Sequence, residues 1–218
     1  MWPPADPHLL DLRRDYESPP LHRADLDPDP VRQFRRWYAE WEASGALDPN
    51  AVVLATATAE GVPSARYVLL KAVDDDGGFV VFTNLASRKG RELSANPGVA
   101  LCFGWLAQHR QVRVEGRAVV VPDEVADAYF ASRPRSSRIA AWASEQQSAP
   151  VESREALERR FADVERRYPG DVPRPPTWTG VRVVADAVEV WQGRRDRMHD
   201  RFRYERSGTS WTLVRLTP

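Results

Sequence analysis

Lysine is almost missing from this chain. Of its 31 basic residues only two, Lys71 and Lys89, are lysines, and every other one is an arginine. An ammonium is a compact, mobile point charge and a guanidinium is a rigid planar fork, so the two are not interchangeable where geometry matters. Both lysines fall in one stretch, Arg66 to Lys89, one closing an apolar strand and the other opening a helix. That placement marks two positions where a point charge is needed. Cysteine is equally scarce. The single Cys102 excludes an internal disulfide framework, and in the run Leu101-Cys102-Phe103 it reads as a small buried hydrophobe. Net charge is absent, with 31 acidic residues against 31 basic ones. No global field draws the chain to nucleic acid or membranes, and any anion site has to be local. No apolar run approaches the ~20 residues that span a bilayer, and the N-terminus lacks the basic and apolar regions of a signal peptide. A cytoplasmic protein is expected. Glycine-rich phosphate loops, paired cysteines and histidine pairs at metal spacing are missing as well, and His8, His22, His109 and His199 lie scattered. No metal is expected.

What the chain does contain is ordinary globular material, 42% hydrophobic and 28% charged over 218 residues, which suits one domain. Residues 1–28 are rich in Pro and Asp and read as a mobile arm with a helical island at Leu9 to Tyr16; residues 29–218 read as a single domain. Asp29 followed by Pro30 starts a helix, whose Phe34, Trp37 and Trp41 form an apolar stripe for core packing. From Ala51 the period shortens. Strands are predicted at Ala51 to Thr58, Ser64 to Val73, Phe79 to Thr83, Val99 to Trp105 and Gln111 to Val121, with a short helix from Ser87 to Asn96. Helices follow at Pro122 to Ser132, Ser136 to Ser144 and Val151 to Tyr168. Strands then resume at Gly180 to Val184, Ala187 to Trp191, Asp200 to Arg206 and Trp211 to Leu216. Many short strands with tight turns predict an antiparallel barrel, mainly β with peripheral helices.

Three clusters could carry chemistry. Ser87 can cap a helix whose free N–H groups favour an anion, and Arg88 and Lys89 follow directly; the same pattern also describes a solvated basic helix start. In Arg195-Asp196-Arg197-Met198-His199-Asp200-Arg201, an extended backbone would line up Arg195, Arg197, His199 and Arg201 on one face. That face would bind an anionic ligand and favour neutral imidazole, unless Asp196 and Asp200 merely pair with the arginines. Tyr129 and Arg133 share a helix face. Arg133-Pro134 ends that helix, and Ser136 or Ser137 can cap the next. This is an anion cradle or simply a helix–turn–helix corner.

Taken in order, Arg66-Tyr67-Val68-Leu69-Leu70-Lys71, Phe82-Thr83-Asn84-Leu85-Ala86-Ser87-Arg88-Lys89, Gln111-Val112-Arg113-Val114-Glu115-Gly116, Tyr129-Phe130-Ala131-Ser132-Arg133-Pro134, Trp191-Gln192-Gly193 and Arg197-Met198-His199-Asp200-Arg201-Phe202 resemble the pyridoxine/pyridoxamine 5′-phosphate oxidases. The likeness runs from about Leu12 to the C-terminal Arg215-Leu216-Thr217-Pro218. It implies an FMN-binding split β-barrel, a homodimer with FMN at the subunit interface. The implied reaction oxidises pyridoxine or pyridoxamine 5′-phosphate to pyridoxal 5′-phosphate, with O2 as acceptor and hydrogen peroxide as by-product. By the same resemblance, Arg66, Ser87, Arg88 and Lys89 hold the FMN phosphate and ribityl chain. Tyr67, Val68, Leu69, Leu70, Phe82, Thr83 and Gln111 line the flavin, and Gln146, Trp191 and Arg201 reach it from the partner subunit. Lys71, Tyr129, Arg133 and Ser137 bind the substrate phosphate, while Arg197 and His199 cover the pyridine ring. Arg13, Arg14 and Tyr16 match a segment that folds over the site.

The chain departs from the family pattern at Phe82, where tyrosine is expected, at Gln147, where serine is usual, and across Pro176-Thr177-Trp178-Thr179-Gly180. Arg66 and Lys71, five apart, would face opposite sides of a regular strand unless a bulge intervenes. Other readings are a phenazine-pathway type of oxidase on the same fold, a non-catalytic flavin- or haem-binding split barrel, and an RNA-binding module. Zero net charge disfavours the last.

Overall fold

The computed structural model describes residues 15–218. Its centre is one antiparallel sheet of eight strands: β1 (Ala51–Ala57), β2 (Pro63–Val73), β3 (Gly78–Asn84), β4 (Gly98–Trp105), β5 (Arg110–Val120), β6 (Trp178–Gln192), β7 (Asp200–Ser207) and β8 (Ser210–Leu216). They run in the order β3-β2-β1-β4-β5-β6-β7-β8, and β3 also pairs with β6. That extra pairing closes β1 to β6 into a barrel, leaving β7 and β8 as a hairpin that extends the sheet beyond β6. Alternation along the strands fills the interior. Val99, Leu101, Phe103 and Trp105 of β4 point inward with Val112 and Val114 of β5. Cys102 belongs to the opposite set and is only half-buried, so the buried-hydrophobe reading of this residue is corrected by its place in the alternation.

Among the described residues five α-helices lie outside the barrel: α1 (Pro30–Ala43), α2 (Arg88–Ala95), α3 (Asp123–Ser132), α4 (Arg135–Ala143) and α5 (Arg154–Arg167). Asp29 caps α1 by accepting from the Val31 N–H at 2.8 Å. On that helix the aromatic stripe does enter the core, with Phe34 edge-on to Phe79 and Phe103 at 5.0 and 4.9 Å. Ser87 caps α2. Neither Ser136 nor Ser137 caps α4, because Pro134 occupies the cap position and offers no side-chain acceptor. Among the described residues no helix is long and apolar enough to cross a membrane.

Of the stretch read as an arm, Arg13, Arg14 and most of the Leu9 to Tyr16 island lie outside the described residues. The part from residue 15 onward is packed. Leu21 and Leu26 join the main core, the Leu21 N–H donates to Asp200 at 3.0 Å, and the Tyr204 hydroxyl donates to the Asp27 carbonyl at 2.7 Å.

The two strands expected at Gly180 to Val184 and Ala187 to Trp191 are one continuous β6. Between them the β5–β6 register shifts: Gly116 pairs with Ala185 and Glu115 with Ala187, so Asp186 is the extra, exposed residue of a bulge. Gly116 allows it, since a Cβ there would lie 1.9 Å from the Val184 carbonyl oxygen. A second shift falls in β2, where Leu70 pairs with Val81 and Ala72 with Val80, leaving Lys71 unpaired. The bulge begins at Lys71, so alternation from Arg66 to Lys71 is regular and the two cations do face different sides.

Candidate active site

A cleft of about 530 Å³ opens where β2 and β3 meet α3, α4 and the start of β6. β2 presents Tyr67, Leu69 and Lys71 to it, with Val68 at its edge. Tyr67 is 77% exposed and Leu69 44%, an unusual outlay of apolar surface for a strand in a closed sheet. Leu70, expected along the flavin, instead turns its side chain into the core, because it falls on the inward set of the alternation. From β3 come Phe82 and Thr83. The Thr83 hydroxyl is buried without a hydrogen-bond partner, and buried polar atoms normally have one.

Part of this cleft is cationic. Lys89 donates from Nζ to the Ser87 hydroxyl at 3.3 Å and to Gln147 Oε1 at 3.0 Å. Burial, and then the nearby Arg66 charge, pull the Lys89 ammonium below the ordinary lysine range. Arg66 and Arg88 converge from β2 and α2 on Glu92, which lies on α2 and is 5% exposed. Gln147 lines the cleft whereas Gln146 does not.

Lys71, Tyr129, Arg133 and Ser137 line the same cleft. Lys71 Nζ stands 6.0 Å from the Tyr129 ring centroid. The Arg133 guanidinium lies over Trp178 at 4.9 Å, a cation–π arrangement. Its Nη1 is buried and unpartnered, and burial lowers its proton affinity, with Tyr129 pulling weakly the other way. A desolvated guanidinium with free donor capacity is built to meet an anion.

The remaining expected residues collect elsewhere. Gln111 pairs across the sheet with Trp191 and shares with it a second cleft of about 550 Å³ that also contains Tyr16, His109 and Arg110. Gln111 therefore does not join Tyr67 and Phe82 within one chain, because β5 is separated from β2 by β1 and β4. Trp191 and His199 are 4.7 Å apart by ring centroid, and Tyr16 lies 5.9 Å from His199.

The extended reading of Arg195 to Arg201 is overturned. Arg195–Arg197 is a 3-10 turn, with Asp196 and Arg197 in the left-handed region at φ 57° and 61°, so the four basic residues do not share a face. Arg195 pairs with Glu17, and Arg201 with Glu189 at 2.9 Å. Arg197 and His199 remain as neighbours. His199 Nδ1 accepts from the Arg194 N–H at 3.0 Å, which leaves the ring proton on Nε2. Burial first, and the Arg197 charge second, hold its pKa below 6.5, with Asp200 opposing. A neutral imidazole carrying its proton on Nε2 is favoured by this arrangement.

Two further residues were given no role by the sequence reading. Glu92, which is not on the lining of the cleft, left a signal in its i,i+4 spacing from Arg88; Trp178, which does line it, stood only in a segment noted as off-pattern, since its packing against α3 is tertiary. The donor set suits FMN: a helix start with Lys89 and capped by Ser87 for a phosphate, the unpartnered Thr83 hydroxyl, and the open wall of Tyr67 and Leu69 for a flat apolar ring.

Comparison with known proteins gives a consistent result. A family profile described as pyridoxamine 5′-phosphate oxidase matches residues 40–168, and one described as the pyridoxine 5′-phosphate oxidase C-terminal dimerisation region matches residues 178–218. A pyridoxine/pyridoxamine 5′-phosphate oxidase from Rubrobacter xylanophilus is 56% identical over 211 residues, 96% of each chain. One from Paraburkholderia phymatum is 51% identical over 96% of this chain and 99% of its own. Among solved structures, PhzG from Burkholderia lata 383, in complex with tetrahydrophenazine-1-carboxylic acid, superposes with a TM-score of 0.85 at 30% identity, over 94% of this chain and all of its own.

Proposed function

The chain belongs to the pyridoxine/pyridoxamine 5′-phosphate oxidase family, and on that premise we propose that it oxidises pyridoxine and pyridoxamine 5′-phosphates to pyridoxal 5′-phosphate, using FMN and O2 and releasing hydrogen peroxide. The observation that carries this reading is a single cleft lined by two sets of cations on separate elements, Lys89 on α2, and Lys71 with Arg133 on β2 and the α3–α4 turn. A phosphorylated cofactor and a phosphorylated substrate each need one. FMN, held there, would supply the redox chemistry of hydride acceptance and electron transfer to O2.

This chain's residues bind and orient. In this reading Ser87, Lys89, Arg66 and Arg88 take the cofactor phosphate, while Tyr67, Val68, Leu69, Phe82 and Thr83 form the flavin wall. Lys71, Tyr129, Arg133 and Ser137 take the substrate phosphate through charge-assisted hydrogen bonds. A second copy of the chain completes the site with Gln111, Gln146, Trp191, Arg197, His199 and Arg201, none of which lines the first cleft. The match to a dimerisation region over residues 178–218 supports that homodimer. With Nδ1 held by the Arg194 N–H, His199 acts through its Nε2–H as a hydrogen-bond donor to the substrate, and Arg197 adds positive charge beside it. Tyr16, edge-on to Trp191 and tilted against His199, shields this face from water. A cytoplasmic setting belongs to the same reading.

Similarity to PhzG supports a second reading, in which fold and flavin are kept and the substrate is a phenazine precursor. Higher identity to the phosphate oxidases favours the first. The test is direct. Purified protein should be yellow, release FMN on denaturation and generate peroxide with pyridoxine 5′-phosphate. Colourless protein that FMN cannot reconstitute would defeat both readings; a flavoprotein inert to both phosphorylated vitamers would leave the second.

A further inference from the structure

We propose that Glu92 is a positioning residue, a buried carboxylate that fixes Arg66 and Arg88 in the arrangement that receives the cofactor phosphate. The inference rests on the FMN reading above. Glu92 sits on α2 at 5% exposure, where a carboxylate persists as an anion only if its oxygens are well partnered. They are. Oε2 accepts from the Thr56 and Ser64 hydroxyls, each at 2.5 Å, and from Arg66 Nη2 at 3.3 Å. Oε1 accepts from Arg88 Nε at 2.8 Å. The Ser64 and Thr56 hydroxyl bonds are the main reason, with Arg88 adding to them, that the Glu92 pKa falls to about 2.

The two hydroxyls matter because each has one proton and gives it to Glu92. Their oxygens are then left to accept, and both accept from Arg66: Nη1 donates to Thr56 at 2.5 Å and Nη2 donates to Ser64. Arg66 is therefore held by Glu92 directly and again through two relays. Thr56 and Ser64 face each other across β1 and β2, so one side chain from α2 ties helix to sheet where the phosphate-binding cations converge.

Charge balance agrees. Arg66 and Arg88 pair with this one carboxylate while Lys89 bonds to Ser87 and Gln147 instead, so the three cations and one anion leave roughly two positive charges, which matches a phosphate monoester near −2. Without Glu92 the three cations would repel one another, and Arg66 already lowers the proton affinity of Lys89. An opposing effect sharpens the test. A carboxylate beside a phosphate also repels it, so if simple charge dominated, removing Glu92 would tighten binding. Positioning predicts the reverse.

The experiment measures dissociation constants of FMN and of riboflavin, which lacks the phosphate, by flavin fluorescence on full-length protein stripped of flavin. Wild type, Glu92→Gln and Glu92→Ala are compared. Glu92→Ala should weaken FMN by roughly 10-fold to 100-fold, the scale of charged hydrogen bonds, and change riboflavin by less than about 3-fold. Glu92→Gln should fall between, since its amide oxygen still accepts from a hydroxyl. Unchanged or tighter FMN binding would overturn the proposal, as would equal losses for the two flavins, which would mark a purely structural role. If Glu92→Ala does not fold, the FMN-to-riboflavin ratio of Glu92→Gln decides alone. Wild-type protein that binds no FMN would overturn the parent reading and this proposal with it, whereas normal wild-type binding with unaffected variants overturns this proposal only.

Discussion

Phe82 lies flat against Tyr129, with ring centroids 3.9 Å apart and planes 22° from parallel. Trp178 stacks on the same pair, 5.3 Å from Phe82 and 6.1 Å from Tyr129. Gly180 makes the room, since a Cβ there would stand 2.9 Å from Phe82 Cε1. The stack ties the β3 wall of the cleft to α3, which carries Tyr129 and leads directly into Arg133.

From that contact, Phe82→Ala should loosen Tyr129 more than it harms the fold. An aromatic pair is worth about 0.5–1.5 kcal/mol beyond its burial, so KM for pyridoxine 5′-phosphate should rise roughly 3-fold to 10-fold. Steady-state peroxide assays on flavin-loaded protein would check it. An unchanged KM would detach the stack from substrate binding.

Arg133 should not tolerate lysine. Its planar guanidinium rests on Trp178 at 4.9 Å while Nη1 stays free, and an ammonium reproduces neither the stacking nor the fork. Arg133→Lys should raise KM by about 10-fold or more, the cost of a lost charged hydrogen bond, with kcat little altered. Equal loss in kcat and kcat/KM would instead place Arg133 in the transition state.

Most of the barrel is legible in the sequence because alternation and turn residues are local signals. β1, β4, β5, β7 and β8 fall within one or two residues of expectation. Misreadings occur where tertiary context overrides a local pattern. Asp186 looks like a break in β6 because a bulge turns it outward, and only pairing with Gly116 reveals the strand as continuous. The left-handed Asp196 and Arg197 give no sequence sign comparable to glycine. For the site, the family resemblance names residues whose convergence no spacing could show. Lys71, Tyr129, Arg133 and Ser137 are contributed by β2, α3 and α4 together with the turn between those helices. Gln111 and Trp191 stand apart from them because the strand order puts β5 and the end of β6 at a second cleft.

The His199 environment makes a pH prediction. Burial and Arg197 hold its pKa below 6.5, so the folded protein takes up this proton less readily than the unfolded chain. Its contribution to stability is thus fully present above about pH 6.5 and is lost as pH falls through the folded value. Arg197→Ala removes one of the two causes and should shift the His199 midpoint upward, as read by NMR of the imidazole C–H signals. A midpoint that stays put would mean that burial alone sets it.

Gly90 should resist replacement although it sits inside α2, where alanine is intrinsically favoured by about 1 kcal/mol. A Cβ at Gly90 would lie 2.3 Å from the Leu85 carbonyl oxygen and 2.4 Å from Leu85 Cα. These are backbone atoms and cannot swing aside. Relief requires α2 to move away from Leu85, which also displaces the Ser87 cap and Lys89 on the same first turn. Overpacking of this kind costs roughly 1–3 kcal/mol, enough to reverse the helix preference. Gly90→Ala should therefore lower Tm and weaken FMN retention together. Gly170→Ala, where nothing lies within 4 Å, serves as the control and should change neither. A Gly90→Ala protein with wild-type Tm and full flavin content would show that α2 can shift without cost, and that the close helix–Leu85 contact does not hold the cationic part of the cleft in place.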